Sequence, residues 1–188
     1  MKGCFIEGEK IYLRPFNESD IEIWYQWFNN EEVTYHMDKR RFPNTPEKQL
    51  KFMKGINASP SDIQLAIVHK KDDELIGTVG LHLIDFINRN ADISIVIGEK
   101  KYWKKGIGKE ACNLVIDHAF NMLNLHKLTA GMVEENMASY NLFVSLGFEK
   151  EGVYKEQVFL HGKYRNIVKL GLPKGNYLAT EAQRHMVE

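Results

Sequence analysis

Cysteine is scarce in this sequence. Cys4 and Cys112 are its two thiols, and neither sits in the spacing of a metal or redox motif. No disulfide framework and no metal site follow from them; both read as free thiols in a reducing compartment. A long uncharged apolar run is missing, so no helix across a bilayer is expected. The first ten residues, Met-Lys-Gly-Cys-Phe-Ile-Glu-Gly-Glu-Lys, hold no apolar signal core. Net charge is absent as well, with 25 Lys and Arg against 25 Asp and Glu. That excludes a general basic face for nucleic acid or an anionic membrane, so any anion site must be local. Repeats, low-complexity segments and linkers are lacking too. The expectation is one cytoplasmic domain over 1–188, with a loose tail after about residue 173.

What is present is a succession of short periodic segments. Lys10 to Arg14 alternates and stops at Pro15, as a strand does. Asn17 to Asp20 offers helix caps, and Ile21, Trp24, Tyr25 and Phe28 follow at helical spacing. Trp24, Tyr25 and Trp27 read as the buried side of an amphipathic helix rather than as a substrate-facing cluster. Residues 31–44 look irregular. Thr45-Pro46 caps and opens a second helix that ends near Gly55. Ile63 to His69 and Leu75 to Leu83 form a hairpin, and Ala91 to Ile97 is a further strand. A helix from about Gly108 to Met122 buries Ala111, Leu114, Val115, His118, Ala119 and Met122, which makes His118 a packed histidine. Lys127 to Val133 is a strand, and Asn136 to Ser145 a short helix stopped at Gly147. Phe148 to Leu160 and Lys163 to Leu172 are joined by a tight His161-Gly162 turn. This order predicts an α+β (mixed α/β) layer: a mostly antiparallel sheet of six to seven strands, one central βαβ crossover and about four helices.

The chemistry concentrates where the strand ending at Gly98 meets Trp103-Lys-Lys-Gly-Ile-Gly108-Lys109. Two glycines permit a tight turn and leave no Cβ before the amides. The helix that follows begins with unpartnered N–H groups and a positive dipole end. Lys104, Lys105 and Lys109 add charge, so the loop suits a phosphate or pyrophosphate. Gly106-Ile-Gly108-Lys-Glu-Ala111 also spells the dinucleotide fingerprint, and Glu134 and Glu135 lie where a ribose-binding acid would be. Against that reading, a charged connection separates the strand from the first Gly. The strands before it also look antiparallel. A P-loop is excluded, because its upstream Gly and following Ser/Thr are missing.

The stretch resembles the hallmark of the GNAT superfamily of acetyl-CoA-dependent N-acetyltransferases, a strand followed by (Gln/Arg)-x-x-Gly-x-(Gly/Ala) opening a helix. Trp103 replaces the Gln/Arg. A Tyr-Trp pair at this place is similar to the branch acetylating ribosomal-protein N-termini. Asn136-Met-Ala-Ser139-Tyr-Asn-Leu-Phe143-Val-Ser-Leu-Gly147-Phe148 resembles the family's Asn-x-x-(Ala/Ser)…Leu-Gly-Phe helix. Glu151-Gly152 leading to Phe159-Leu-His-Gly-Lys-Tyr164-Arg-Asn166 is similar to the closing hairpin of that branch and of the spermidine acetyltransferases. The opening Leu13-Arg14-Pro15 also fits, and with these three motifs in order the resemblance covers the chain from roughly Lys10 to Leu172.

The resemblance implies a sheet splayed at the cofactor. It implies that the strand Ile93 to Ile97 carries a bulge and that the backbone of Ile95, Val96 and Ile97 meets the pantetheine arm. Trp103, Lys104, Lys105, Gly106, Ile107, Gly108 and Lys109 would hold the pyrophosphate, and Asn136 and Phe143 would contact the cofactor. No metal is implied. An ammonium with a pKa of about 10 must lose a proton before it attacks a thioester. Asp92 is the first candidate base and Glu156, on the closing hairpin, the second. Phe143 stands where most members place a Tyr; the resemblance to the N-terminal-amine branch implies Ser139 as the acid, with Tyr140 a weaker substitute. The implied function is acetyl transfer to a primary amine: a protein α-amino group, a polyamine or an amino-sugar nucleotide. The last would need a second anion site, for which Arg40, Arg41 and Arg165 are available. Two alternatives stand beside it: a CoA-binding module without catalysis, permitted by Phe143, and an NAD-dependent oxidoreductase. Monomer and homodimer are both open.

Overall fold

The computed structural model describes residues 3–178, without the side chains of residues 38 and 40. Eight strands form one sheet: β1 Ile6–Glu7, β2 Ile11–Pro15, β3 Ile63–His69, β4 Glu74–Asp85, β5 Asn90–Ile97, β6 Lys127–Val133, β7 Glu149–Leu160 and β8 Lys163–Pro173. Their order is β1-β2-β3-β4-β5-β6-β8-β7. The extra strand, β1, has two residues, too few to show a period. Every pairing is antiparallel except β5 with β6, the two strands of the crossover.

Six helices appear among the described residues, against the four expected. They are α1 Ile21–Asn29, α2 Glu31–Thr34, α3 Pro46–Ala58, α4 Ile107–Asp117, α5 Met137–Val144 and α6 at residues 174–178. The segment 31–44 is therefore partly helical: the side chain of Asn30 caps α2 by accepting from the amides of Glu32 and Val33. Thr45 caps α3 as its sequence suggests, and that helix runs past Gly55 to Ala58. The expected loose tail after 173 is helical to residue 178, and Tyr177 packs against Phe120. The rest of that tail lies outside the described residues.

Alternation along the strands divides the core. Ile11, Leu13, Ile67, Val79, Leu81, Ile93, Leu128, Leu170 and their neighbours pack under α4 and α5. Tyr12, Ala66 and Val68 face the other way, onto Trp24 and Trp27 of α1 and Met53 of α3. His118 leaves α4 at a π-helical turn, and its ring meets Phe5 edge-on at 5.2 Å. Burial lowers its pKa, as suits a packed neutral imidazole.

α1 is seated at two points. Arg14 at the end of β2 grips Asp20 with two hydrogen bonds of 2.7 and 2.8 Å. Asp20 also accepts from the amide of Asn17, closing a capping box ahead of the helix. At the other end the Trp27 indole lies against Gly98, where any Cβ would collide with the ring. Trp27 Nε1–H donates to Glu99 Oε1 at 2.9 Å. Gly98 is thus the place where α1 rests on the end of β5.

Candidate active site

β5 and β6 start as neighbours and then part. Asn90, Ala91 and Asp92 pair with Lys127, Leu128 and Thr129, and no pairing follows. The sheet opens into a V whose walls are Ile93–Ile97 and residues 130–133. Peptide groups facing into the V have no strand partner, so a ligand carrying amides can supply one. The expected splay is present, and the expected bulge in β5 is not. β5 keeps unbroken register with β4 from Gly77↔Ile97 to His82↔Asp92. The irregularity lies in β4 between His82 and Asp85, where Leu83 has φ of 53°.

At the open end of the V stands the N-terminus of α4. Gly106 is its N-cap with φ of 81°, and no side chain caps the helix. Glu110 donates to the Gly106 carbonyl at 3.1 Å. The amides of Ile107, Gly108 and Lys109 come before that first bond and are free by helix geometry. A Cβ on Gly106 would meet nothing within 4 Å. One on Gly108 would touch only Ile95 Cδ1 and Leu142 Cδ2, each at 3.6 Å. The glycines therefore front an open space between β5 and α5. Lys104 and Lys109 are exposed beside it. Lys105 reaches back over the Tyr102 ring. This cradle fits a pyrophosphate on the dipole end of a helix.

The family profile described as acetyltransferase (GNAT) domain matches residues 10–149, most of the chain. The chain belongs to the GNAT family. An uncharacterized N-acetyltransferase, p20, of Bacillus licheniformis is 29% identical over 171 residues, covering 90% of this chain and 96% of that one. Spermidine N(1)-acetyltransferase of Escherichia coli K12 is 29% identical over 172 residues, covering 92% and 90%. Among solved structures, spermidine N-acetyltransferase from Vibrio cholerae in complex with CoA and spermine superposes with a TM-score of 0.82 at 24% identity. It covers 90% of this chain and 98% of its own, a likeness of fold. The protein is an acetyl-CoA-dependent N-acetyltransferase, and the nicotinamide reading of Gly-x-Gly-x-x-Ala falls away. Its one βαβ unit sits in an otherwise antiparallel sheet. No described helix is long and apolar enough to cross a membrane, and no group of metal-binding side chains occurs among the described residues.

The GNAT site residues expected from sequence fall into three groups. Gly106, Ile107, Gly108, Lys109, Ile95, Val96 and Ile97 converge on the V and its open end. Several others already have protein partners. Trp103 Nε1–H donates to the Ile97 carbonyl at 2.8 Å, so this indole fastens the loop to β5. Asn136 caps α5 by accepting from the Ser139 amide at 3.2 Å. Phe143 is 3% exposed and packs edge-on against Phe148 at 5.1 Å, so its ring is part of the core.

The third group holds the residues expected to be catalytic. Asp92 sits at the apex of the V, where its carboxylate accepts from the Thr129 hydroxyl and pairs with Lys169 Nζ at 3.2 Å. It ties β5, β6 and β8 together at the point where β5 and β6 divide. Glu156 lies in a bulge of β7 with φ of 50°, its amide held by Asn166 and its side chain exposed. Ser139 is in the first turn of α5, half-buried. Ser139→Ala is expected to lower steady-state turnover by less than about 10²-fold, the low end for an essential acid. The acetyl-CoA thermal shift should be unchanged. Phe143→Tyr should recover none of the loss and should lower the melting temperature, because an unpartnered buried hydroxyl costs about 1–3 kcal/mol. Recovery of turnover in the double variant would place position 143 at the sulfur after all.

Sequence reasoning passed over three residues. His82 Nδ1 is 3.0 Å from Asp62 Oδ1, and His82 Nε2 is 2.9 Å from Ser94 Oγ. These positions are far apart in the chain and meet only through the register of β3, β4 and β5. The available signal was a lone His on a strand otherwise rich in apolar residues and glycine.

Proposed function

We propose that the acceptor is a polyamine of the spermidine type. The observation that carries this reading is the charge at the open end of the V. Glu134 and Glu135 follow β6 directly, His36, just after α2, is close enough to act on Glu135, and α2 itself carries Glu31 and Glu32. Glu135 is held ionised: a hydrogen bond from its own backbone N–H, then Arg165 and His36, lower its pKa against the opposing effect of burial. The cations that a sugar nucleotide would need are already engaged. Arg165 pairs with Glu135 at 2.6 Å, and Arg41 donates to the Phe159 carbonyl at 3.5 Å. Arg40 has its side chain outside the described residues. A polycation can displace Lys100 from Glu32, a pair in which both side chains are about half exposed or more. Exposed pairs of that kind are worth about 0–1 kcal/mol. The Escherichia coli relative named for spermidine acetylation supports the same reading.

When bound, acetyl-CoA supplies an activated acyl group on a thiol with a pKa near 8.5. The chain's own part is to hold the pyrophosphate on the α4 amides and offer the β5 backbone to the pantetheine. It must also receive a proton from the amine. The test is an acceptor panel with acetyl-CoA: spermidine, spermine, a peptide with a free N-terminal alanine, and an amino-sugar nucleotide. Polyamines should exceed the other acceptors in kcat/KM by at least about 10²-fold, within reach of a few kcal/mol of charge pairing. Glu135→Gln should raise the KM for spermidine and leave kcat nearly intact. Preference for the peptide or the nucleotide would overturn the assignment.

A further inference from the structure

We propose that Ser94, His82 and Asp62 form the proton relay that takes the first proton from the acceptor ammonium. This rests on the reading of the protein as an amine acetyltransferase. Ile93, Ile95 and Ile97 pack under α4, so Asp92, Ser94 and Val96 project from the opposite face of β5. Ser94 is the first of these above the point where β5 and β6 part. It therefore stands on the acceptor side of the V, two residues below Val96.

The direction of each hydrogen bond follows from the chemistry. Asp62 is ionised. Burial acts to raise its pKa, but hydrogen bonds from the Ser59 hydroxyl, His82 and the Leu83 amide lower it overall. An ionised carboxylate only accepts, so the hydrogen between Asp62 and His82 is on Nδ1. Nε2 is then bare and accepts from the Ser94 hydroxyl. The Ser94 oxygen keeps lone pairs for an N–H of the incoming amine. His82 and Asp62 are 24% and 22% exposed, enclosed but not sealed.

The local backbone serves this arrangement. The bulge of β4 at Leu83, with its positive φ, brings the Leu83 amide to Asp62 beside His82. Bulges of this kind re-aim groups next to active sites. Asp62 also borders a surface depression of about 560 Å³ lined by Lys48, Lys51, Phe52 and Ser59, which gives the proton a path to solvent. Besides Lys48 and Lys51 at that depression, Asp92 stands directly opposite His82 in the β4–β5 pairing, and Lys169 is paired with Asp92. A carboxylate already bound to a lysine and a threonine leaves the proton to the histidine.

One ammonium proton passes to the Ser94 oxygen as the Ser94 proton passes to His82 Nε2, and His82 later releases it to water. The neutral amine forms its bond to the acetyl carbon as the carbon–sulfur bond breaks. The electron pair leaves with sulfur, and the second amine proton ends there. The products are the acetamide, CoA thiol and one proton.

Two measurements test the relay. On the wild-type protein without ligand, nitrogen NMR of His82 should report the Nδ1–H tautomer, and Ser94→Ala should shift the Nε2 resonance. An Nε2–H tautomer would overturn the proposal, whatever the variants do. In steady state with spermidine, His82→Gln and Ser94→Ala should each lower kcat/KM at pH 7 by about 10²-fold or more. The deficit should shrink toward pH 10, where the acceptor is already neutral. The acetyl-CoA thermal shift should be unchanged in both. A wild-type pH profile in His82→Gln would remove the histidine from the reaction. Failure of the wild type to acetylate any amine would instead defeat the functional reading, and the tautomer would still be measured.

Discussion

Replacing Gly108 by Val is expected to abolish acetyl-CoA binding while the fold survives. Gly108 is the second residue of α4, and its missing side chain faces the space between Ile95 and Leu142. The first Cβ atom meets those neighbours at 3.6 Å, ordinary contact distance, so the protein itself does not require glycine there. The two further methyls of Val would fill the volume through which a pyrophosphate reaches the amides of residues 107–109. Wild-type protein with ligand at a hundred times its dissociation constant gains about 2.7 kcal/mol. For a chain of this length that is roughly 5–10 °C in melting temperature. The Val variant should show no such shift and a free-state melting temperature within a few degrees of wild type. Gly108→Ala should fall between the two. A folded Val variant with a normal ligand shift would place the phosphate site elsewhere.

The second large effect is on stability. Asp20→Ala should lower the melting temperature by on the order of 10 °C, because breaking a buried pair costs about 3–5 kcal/mol. The Arg14 and Asp20 side chains are 12% and 6% exposed, so little solvent is at hand to replace either partner. Asp20 also closes the capping box, which leaves the Asn17 amide unpartnered in the variant. The double variant Arg14→Met, Asp20→Leu separates the two causes. It removes the stranded guanidinium and should regain most of the loss, as apolar replacement of buried pairs commonly does. If Asp20→Ala melts within about 2 °C of wild type, the pair does not hold α1 in place.

The sequence was most informative where one short segment carries its own physics. Gly106 and Gly108 after a β-branched strand mark an anion loop, and Thr45-Pro46 marks a helix start. His161-Gly162 marks a hairpin turn, where both residues have positive φ. What escaped depends on partners distant in the chain. β1 exists because Ile6 and Glu7 meet Leu13 and Tyr12, and two residues cannot declare a period. Phe143 read as a catalytic Tyr that had been lost, because a motif gives a position and not the direction of a ring. Asp92 read as a candidate base with no partner named, since Lys169 lies 77 residues away. The bulge was expected in β5 and formed in β4, its neighbour across the same ladder.

The three-residue contact between β5 and β6 has a consequence for the lifetime of the protein. One apolar core runs under both parts of the sheet, but among the described residues strand pairing joins β1–β5 to β6–β8 only at residues 90–92 and 127–129, with Arg89 accepting from His126 and Lys127 just before them. The molecule is in effect two blades hinged at one end. A pantetheine arm laid between them would add backbone partners on both sides of the gap. Whatever binds there adds its binding free energy to the stability of the whole chain. Occupancy and durability become a single variable: chains made when CoA thioesters are plentiful resist unfolding and proteolysis longer than chains made when they are scarce.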